Sequence, residues 1–239
     1  MNYDEFGQYS NGGRQYDCSR IFDDTARKTQ SVSDRSDLRV FEEGLDTSYR
    51  AYSDYSERTR RNQESERLVN IAKQHGLFVP IETSKNLTGK VEKRTGESVV
   101  YIDAKAGKVI KFKDPYAKAA LKTGVQAEDA AFEHLVHNLL FPETAYTLEG
   151  ISDDIGDVRI VLSQDFIMSY RQPTKTQVVD SLAERGLLPE DNYSYGNEFV
   201  SITDISGDNV LLGEDDKIYF IDPIIRFKKT LREIIRHLK

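Results

Sequence analysis

The stretch 202-ITDISGDNVLLGEDDKIYFIDP-223 decides how the rest of the chain is read. Within it Asp204 and Asn209 stand five apart in a polar loop, and Asp222 follows thirteen residues after Asn209 at the end of the apolar run IYFI. The segments 209-NVLLG-213 and 217-KIYFID-222 flank a polar turn and predict a β-hairpin. A hairpin returns the chain on itself, so Asp222 comes back to the edge that holds Asp204 and Asn209. Phosphoryl transfer needs one carboxylate to orient an attacking hydroxyl and accept its proton, with further oxygen ligands to hold Mg2+. D-x4-N by itself is a common loop pattern; the hairpin-terminal Asp makes the combination specific.

Upstream, 199-FVSITDI-205 reads as a strand, and 175-KTQVVDSLAERG-186 as a helix for which Thr174 is a candidate cap. Between that helix and Asn197 lies a loop rich in Tyr, Asn and Gly. Strands are predicted at 145-AYTLEGI-151 and 158-VRIVLS-163, split by the acidic turn 152-SDDIGD-157. Residues 125–140 have the period of an amphipathic helix, and 98-SVVYID-103 with 108-KVIKFK-113 reads as a hairpin turning at Gly107. A helix over 63-QESERLVNIAKQH-75 stops at Gly76, and a basic helix, 227-FKKTLREIIRHLK-239, closes the chain. No internal repeat is present.

Residues 1–60 differ in kind. They are rich in Ser, Tyr, Asp, Arg and Gly and hold six of the 13 tyrosines, at positions 3, 9, 16, 49, 52 and 55. Such a stretch buries too little apolar surface to offset its ordering entropy, which predicts a flexible segment able to dock a partner or carry phosphorylation sites. Within it, 21-IFDDTARK-28 and 38-LRVFEEGL-45 are candidate short helices.

The 239 residues carry a net charge of −7 with 38% hydrophobic residues. That charge argues against broad electrostatic capture of nucleic acid. No apolar run approaches the ~20 residues that span a bilayer, and Cys18 is the only cysteine, so the expected setting is a reducing cytoplasm. His134 and His137 form H-x-x-H, but the helical wheel turns His134 away from the apolar face and suggests no third ligand, so solvated or packed histidines are expected rather than zinc. Cys18 has no nearby His or Cys to activate it. The cations Arg226, Lys228, Lys229, Arg232 and Arg236 suit a solvated face near a helix C-terminus.

Taken in order, these parts resemble the protein-kinase-like fold. The runs His137-Asn138-Leu139-Leu140-Phe141-Pro142, TLEGI at 147–151, VLSQDFI at 161–167 and IDPII at 221–225 are most similar to the small Ser/Thr/Tyr kinase domain of phage and mobile-element polyvalent proteins. The resemblance covers about 64–227. It implies an α+β, minimal bilobal fold over 61–239, with an antiparallel N-lobe sheet and one helix (about 61–163) and a truncated C-lobe (about 164–239). By the same match Asp204 is the catalytic base, and Asn209 and Asp222 are the Mg2+ ligands. Val109-Ile110-Lys111 resembles V-A-I-K, so Lys111 would hold the ATP phosphates, with Lys113 on the same face as the fallback. Val109 would lie against the adenine.

The helix at 125–140 would supply the Glu that pairs with this lysine. On a 100° wheel Glu128 emerges among Phe132, Leu135 and Leu139, whereas Glu133 falls off that face and is the second choice. Gly96 would cover the phosphates, Val100 would roof the base, and the backbone of Leu162, Ser163, Gln164 and Asp165 would bond the adenine. The sequence departs from the kinase pattern in three places. It has one glycine in 95-TGESVVY-101, Ile202-Thr203 where His-Arg is usual, and Pro223-Ile224 after Asp222.

Only 17 residues follow Asp222, so neither an activation segment nor control through its phosphorylation is expected. The implied activity is transfer of the γ-phosphoryl group of ATP to a protein Ser, Thr or Tyr hydroxyl, with a regulatory partner reached through residues 1–60. Delivery into a host cell, as for some compact effector kinases, is a weaker analogy. Two alternatives stay open. One is a pseudokinase or nucleotide-binding interaction module, suggested by the sparse glycine loop. The other is a small-molecule phosphotransferase of the aminoglycoside-kinase type, which also uses D-x4-N followed by an apolar strand and Asp.

Overall fold

The computed structural model describes residues 57–80, 91–94, 98–103, 105–117, 127–154 and 157–229. The candidate helices at 21–28 and 38–45, Gly96, and most of the closing basic helix lie outside them. Among the described residues the first element is helix α1 (Glu57–Gln74), six residues longer at its start than the apolar spacing predicts. It ends as expected at Gly76, whose φ of +71° a side chain would resist.

A five-stranded antiparallel sheet follows, built from β1 (Val91–Arg94), β2 (Ser98–Asp103), β3 (Lys108–Lys113), β4 (Thr147–Asp154) and β5 (Asp157–Asp165) in the order β1-β2-β3-β5-β4. The β2–β3 hairpin has its predicted limits. β1 was not expected, because VEKR is a short polar edge strand that only its pairing with β2 defines. Helix α2 (Ala127–Leu140) and a 3-10 turn (Pro142–Thr144) connect β3 to β4.

Cross-strand register sorts the side chains onto two faces. On one face Phe112 and Val161 are buried with Val79, Val99, Tyr101 and Ile110, and the Tyr101 and Phe112 rings meet edge to face at 5.8 Å. On the other, Leu68, Val69 and Ala72 of α1 pack on Leu148, Val158, Ile160 and Leu162, with Leu135 of α2 beside them. Val109, Lys111 and Lys113 share this second face, through the pairs Val109↔Gln164, Lys111↔Leu162 and Lys113↔Ile160.

Past β5 the chain forms β6 (Ser169–Arg171) and helix α3 (Lys175–Glu184). Thr174 caps α3 as predicted, in a reciprocal box with Gln177. Then come β7 (Leu188–Pro189), β8 (Tyr195–Gly196), β9 (Val200–Thr203), a 3-10 turn (Gly207–Asn209), β10 (Val210–Gly213), β11 (Ile218–Phe220) and β12 (Ile224–Phe227). They form two small antiparallel sheets, β11-β10-β6 and β12-β9-β8-β7.

The second core joins Val136, Leu140 and Phe141 to Val178, Leu182, Leu187, Phe199, Val200, Ile202, Val210, Phe220 and Ile225. One expectation is corrected here. Phe227, expected to open the basic helix, instead ends a strand at 224–227 that pairs with β9. The apolar residues Ile224, Ile225 and Phe227 find partners across the ladder that a helix would deny them. Among the described residues, no helix is long and apolar enough to cross a membrane.

Candidate active site

Strand β9 anchors Asp204. Val200 and Ile202 are buried beneath it, and its last residue, Thr203, pairs with Ile224. The strand that follows Asp222-Pro223 therefore lies beside the strand that ends at Asp204. Asp204 itself is exposed, at φ +59°. Its side chain accepts a hydrogen bond from Asn209 Nδ2 at 2.8 Å, and the same nitrogen lies 3.2 Å from the Asp204 carbonyl. Across the β10–β11 hairpin Val210 pairs with Phe220, and Ile221 N donates to the Asn209 carbonyl at 2.9 Å. The hairpin thus brings Asp222 to the edge occupied by Asp204 and Asn209, as its sequence spacing suggests.

Two lysines on β3 divide their partners. Lys111 is buried, and its ammonium lies 3.0 Å from Asp222 Oδ1. It also donates to the Tyr146 hydroxyl at 2.6 Å and to the Ile221 carbonyl at 3.3 Å. Crowding works to raise the Asp222 carboxyl, but the Lys111 ammonium outweighs it and holds the group below the ordinary carboxylate value. Lys113 pairs instead with Glu133 of α2, whose other oxygen accepts a hydrogen bond from Ile225 N at 2.9 Å. Burial would lower the Lys113 ammonium; the Glu133 carboxylate reverses this and raises it above its ordinary value.

The ion pair from α2 to β3 is therefore made by Glu133 and Lys113. The side chain of Glu128 lies outside the described residues. Glu133, placed off the apolar face by the wheel, is buried at 4% exposure, and His134 and His137 are buried too. The wheel assumes one buried face, whereas the last two turns of α2 are enclosed on opposite sides. Leu135 meets the core under the large sheet, and Val136 and Leu140 meet the second core.

Tyr146 is the residue that sequence reasoning missed. Its hydroxyl donates to the Ile221 carbonyl at 2.7 Å, and the Lys111 ammonium stands 4.8 Å from the centre of its ring. Asn138 clamps its backbone from both sides, Nδ2 to the Tyr146 carbonyl and Tyr146 N to Oδ1, each at 2.7 Å. The His137 ring lies 4.7 Å away, with Nε2 held 3.0 Å from the Thr144 carbonyl. Burial pushes His137 down to about 3, and the Lys111 charge adds to the effect. No local period marks Tyr146, because its partners lie 35 and 75 positions away in the chain.

The residues expected to face a nucleotide are divided between the two faces of the large sheet. Val100, Val109, Leu162 and Gln164 share the face of Lys111, with Val100 directly opposite Lys111. Ser163 takes the other face and donates its hydroxyl to Glu149. Leu162 and Ser163 are flanked by strands on both edges, by Lys111 and Leu148 and by Ile110 and Thr147 respectively. Their backbone is thus enclosed in the ladder, and the open edge begins at Gln164, whose side chain bonds the Thr144 carbonyl. A central strand was not anticipated because the run VRIVLS reads the same at an edge as in the middle of a sheet.

No curated protein and no solved structure matches the chain. The family model for the serine/threonine/tyrosine kinases found in polyvalent proteins matches residues 61–229, the span that carries both cores, the lysines of β3 and the Asp204–Asn209–Asp222 edge. The chain belongs to this kinase family.

Proposed function

We propose that the chain is an ATP- and Mg2+-dependent protein kinase that phosphorylates Ser, Thr or Tyr hydroxyls. In this reading the five-stranded sheet and α2 form one small lobe, and the elements after β5 form a reduced second lobe. The observation that carries it is the convergence of Asp204, Asn209 and Asp222 on one edge, with the Lys111 ammonium 3.0 Å from Asp222.

The donor set fits the group it would hold. Among the described residues no cluster of three or more His, Cys, Asp or Glu stands ready for a metal, so a cation would rest on few protein ligands. Mg2+ is commonly bound in that way, by one or two protein oxygens with phosphates and water completing the shell. Asp222 offers a carboxylate with 60% of its side chain exposed. Asn209 spends its nitrogen on Asp204, which leaves its oxygen for the cation. Bound ATP and Mg2+ supply the phosphoryl group and the charge that neutralises it.

The chain's own residues do the rest. Asp204, held by Asn209, orients the substrate hydroxyl and accepts its proton. Asn209 and Asp222 hold the cation, and Lys111 directs its ammonium to phosphate oxygens. The Lys113–Glu133 pair fixes α2 to β3, and the Glu133 bond to Ile225 N fixes it to β12. Directly after Asp222 the chain pairs with β9, which supports a site assembled without an activation segment.

The test is label transfer from γ-labelled ATP to a mixture of unstructured peptides bearing Ser, Thr and Tyr, with aminoglycosides offered in parallel. Label on peptide alone supports the protein-kinase reading, and label on the aminoglycoside alone replaces it with the small-molecule reading. Binding of Mg2+–ATP without transfer to either would leave the interaction-module reading in its place.

A further inference from the structure

We propose that Tyr146 is a positioning residue of the phosphoryl-transfer site, holding the Lys111 ammonium and the Ile221–Asp222 segment in one geometry; the proposal rests on the kinase reading above. A lysine ammonium has three N–H donors. At Lys111 three acceptors surround it, the Tyr146 hydroxyl at 2.6 Å, Asp222 Oδ1 at 3.0 Å and the Ile221 carbonyl at 3.3 Å. The Tyr146 hydroxyl is central to this set. It accepts from Lys111, donates to the Ile221 carbonyl at 2.7 Å and lies 3.5 Å from Asp222 Oδ1.

Tyr146 is itself held in place. The two Asn138 bonds fix its backbone, and the His137 ring covers it at 4.7 Å. Its ring also faces the ammonium at 4.8 Å, an arrangement that favours the cation. With Asp222 engaged by a cation, Lys111 would lose one acceptor and keep Tyr146 and Ile221. The hydroxyl thus preserves the direction of the ammonium while its partner changes, and it tethers the backbone just before Asp222.

A packing role and a positioning role are separated by removing the hydroxyl alone. In Tyr146→Phe the ring and its contacts with His137 and Lys111 persist, so thermal unfolding should stay close to that of the wild type. Affinity for Mg2+–ATP, measured by calorimetry on the full chain, should fall about 10- to 100-fold, as for loss of a hydrogen bond to a charged group. In a Lys111→Met background the same substitution should change affinity less than about twofold, because the group it positions is gone.

Equal losses in both backgrounds, or no loss in either, while the wild type binds nucleotide would overturn the role of Tyr146 and leave the kinase reading intact. A wild-type chain that binds no Mg2+–ATP would overturn the kinase reading and this proposal with it.

Discussion

Asp204 occupies the left-handed backbone region, which Asp and Asn tolerate because a short polar side chain can bond locally. Here that local bond is the one from Asn209. Replacement by Ala would remove the acid and add backbone strain together, so Asp204→Asn is the cleaner variant. It keeps an acceptor for Asn209 and removes the charge. His137 gives a second prediction at this scale. Its folded value of about 3 lies below the ordinary 6.5, so the unfolded chain binds the extra proton between those values. The resulting stability is fully present above pH 6.5 and is lost as pH falls toward 3. Between pH 7 and pH 5 this one group should remove about 2 kcal/mol. Urea unfolding of wild type and His137→Gln at both pH values checks it, and the gap between the two pH values should narrow by about that amount in the variant.

Among the elements, α2 depends most on its ion pair. Glu133→Gln leaves the Lys113 ammonium buried without its counter-charge and should cost about 3–5 kcal/mol in chemical denaturation. The double variant Lys113→Met with Glu133→Gln should lose less than the single change, since no uncompensated charge remains. Strand β4 depends on a glycine. Gly150 has φ +147°, and a Cβ there would sit 2.1 Å from the Leu77 carbonyl, which itself accepts a bond from Ile151 N. Gly150→Ala should cost more than about 1 kcal/mol by forcing β4 away from 77–79.

Elements whose signals are local were legible in the sequence. The β2–β3 hairpin has its turn and its alternation, and α3 has Thr174 and Gln177 three apart. Strands β6, β7, β8 and β12 were not legible, because runs this short are defined by their pairing rather than by a period, with distant strands for β6 and β12 and within a local meander for β7 and β8. The same contrast holds in the site. Asp204, Asn209 and Asp222 lie within one hairpin of each other, so spacing alone reveals their meeting. Glu133 and Tyr146 acquire their positions from contacts with Ile225 and Ile221, which no helical wheel or strand alternation encodes.

Among the described residues, α2 and β12 join the two larger hydrophobic cores. Leu135 serves one core, Val136 and Leu140 the other, and Phe227 packs against both. Asp204, Asn209 and Asp222 rise from elements of the second core and Lys111 from the large sheet, so the site depends on how the two cores are held together. Ile225 lies at that junction, 1% exposed, with its N–H on Glu133. Ile225→Ala should cost about 2–5 kcal/mol. It should also weaken Mg2+–ATP binding in calorimetry on the folded fraction, because β12 carries the support of Glu133.

The central claim is that Asp204 is the base of a phosphoryl-transfer site. It is tested most directly by the rate of γ-phosphoryl transfer to peptide at saturating Mg2+–ATP, wild type beside Asp204→Asn. The account predicts a turnover about 10²- to 10⁴-fold lower in the variant, with nucleotide affinity nearly unchanged. Equal turnover in the two proteins would contradict it.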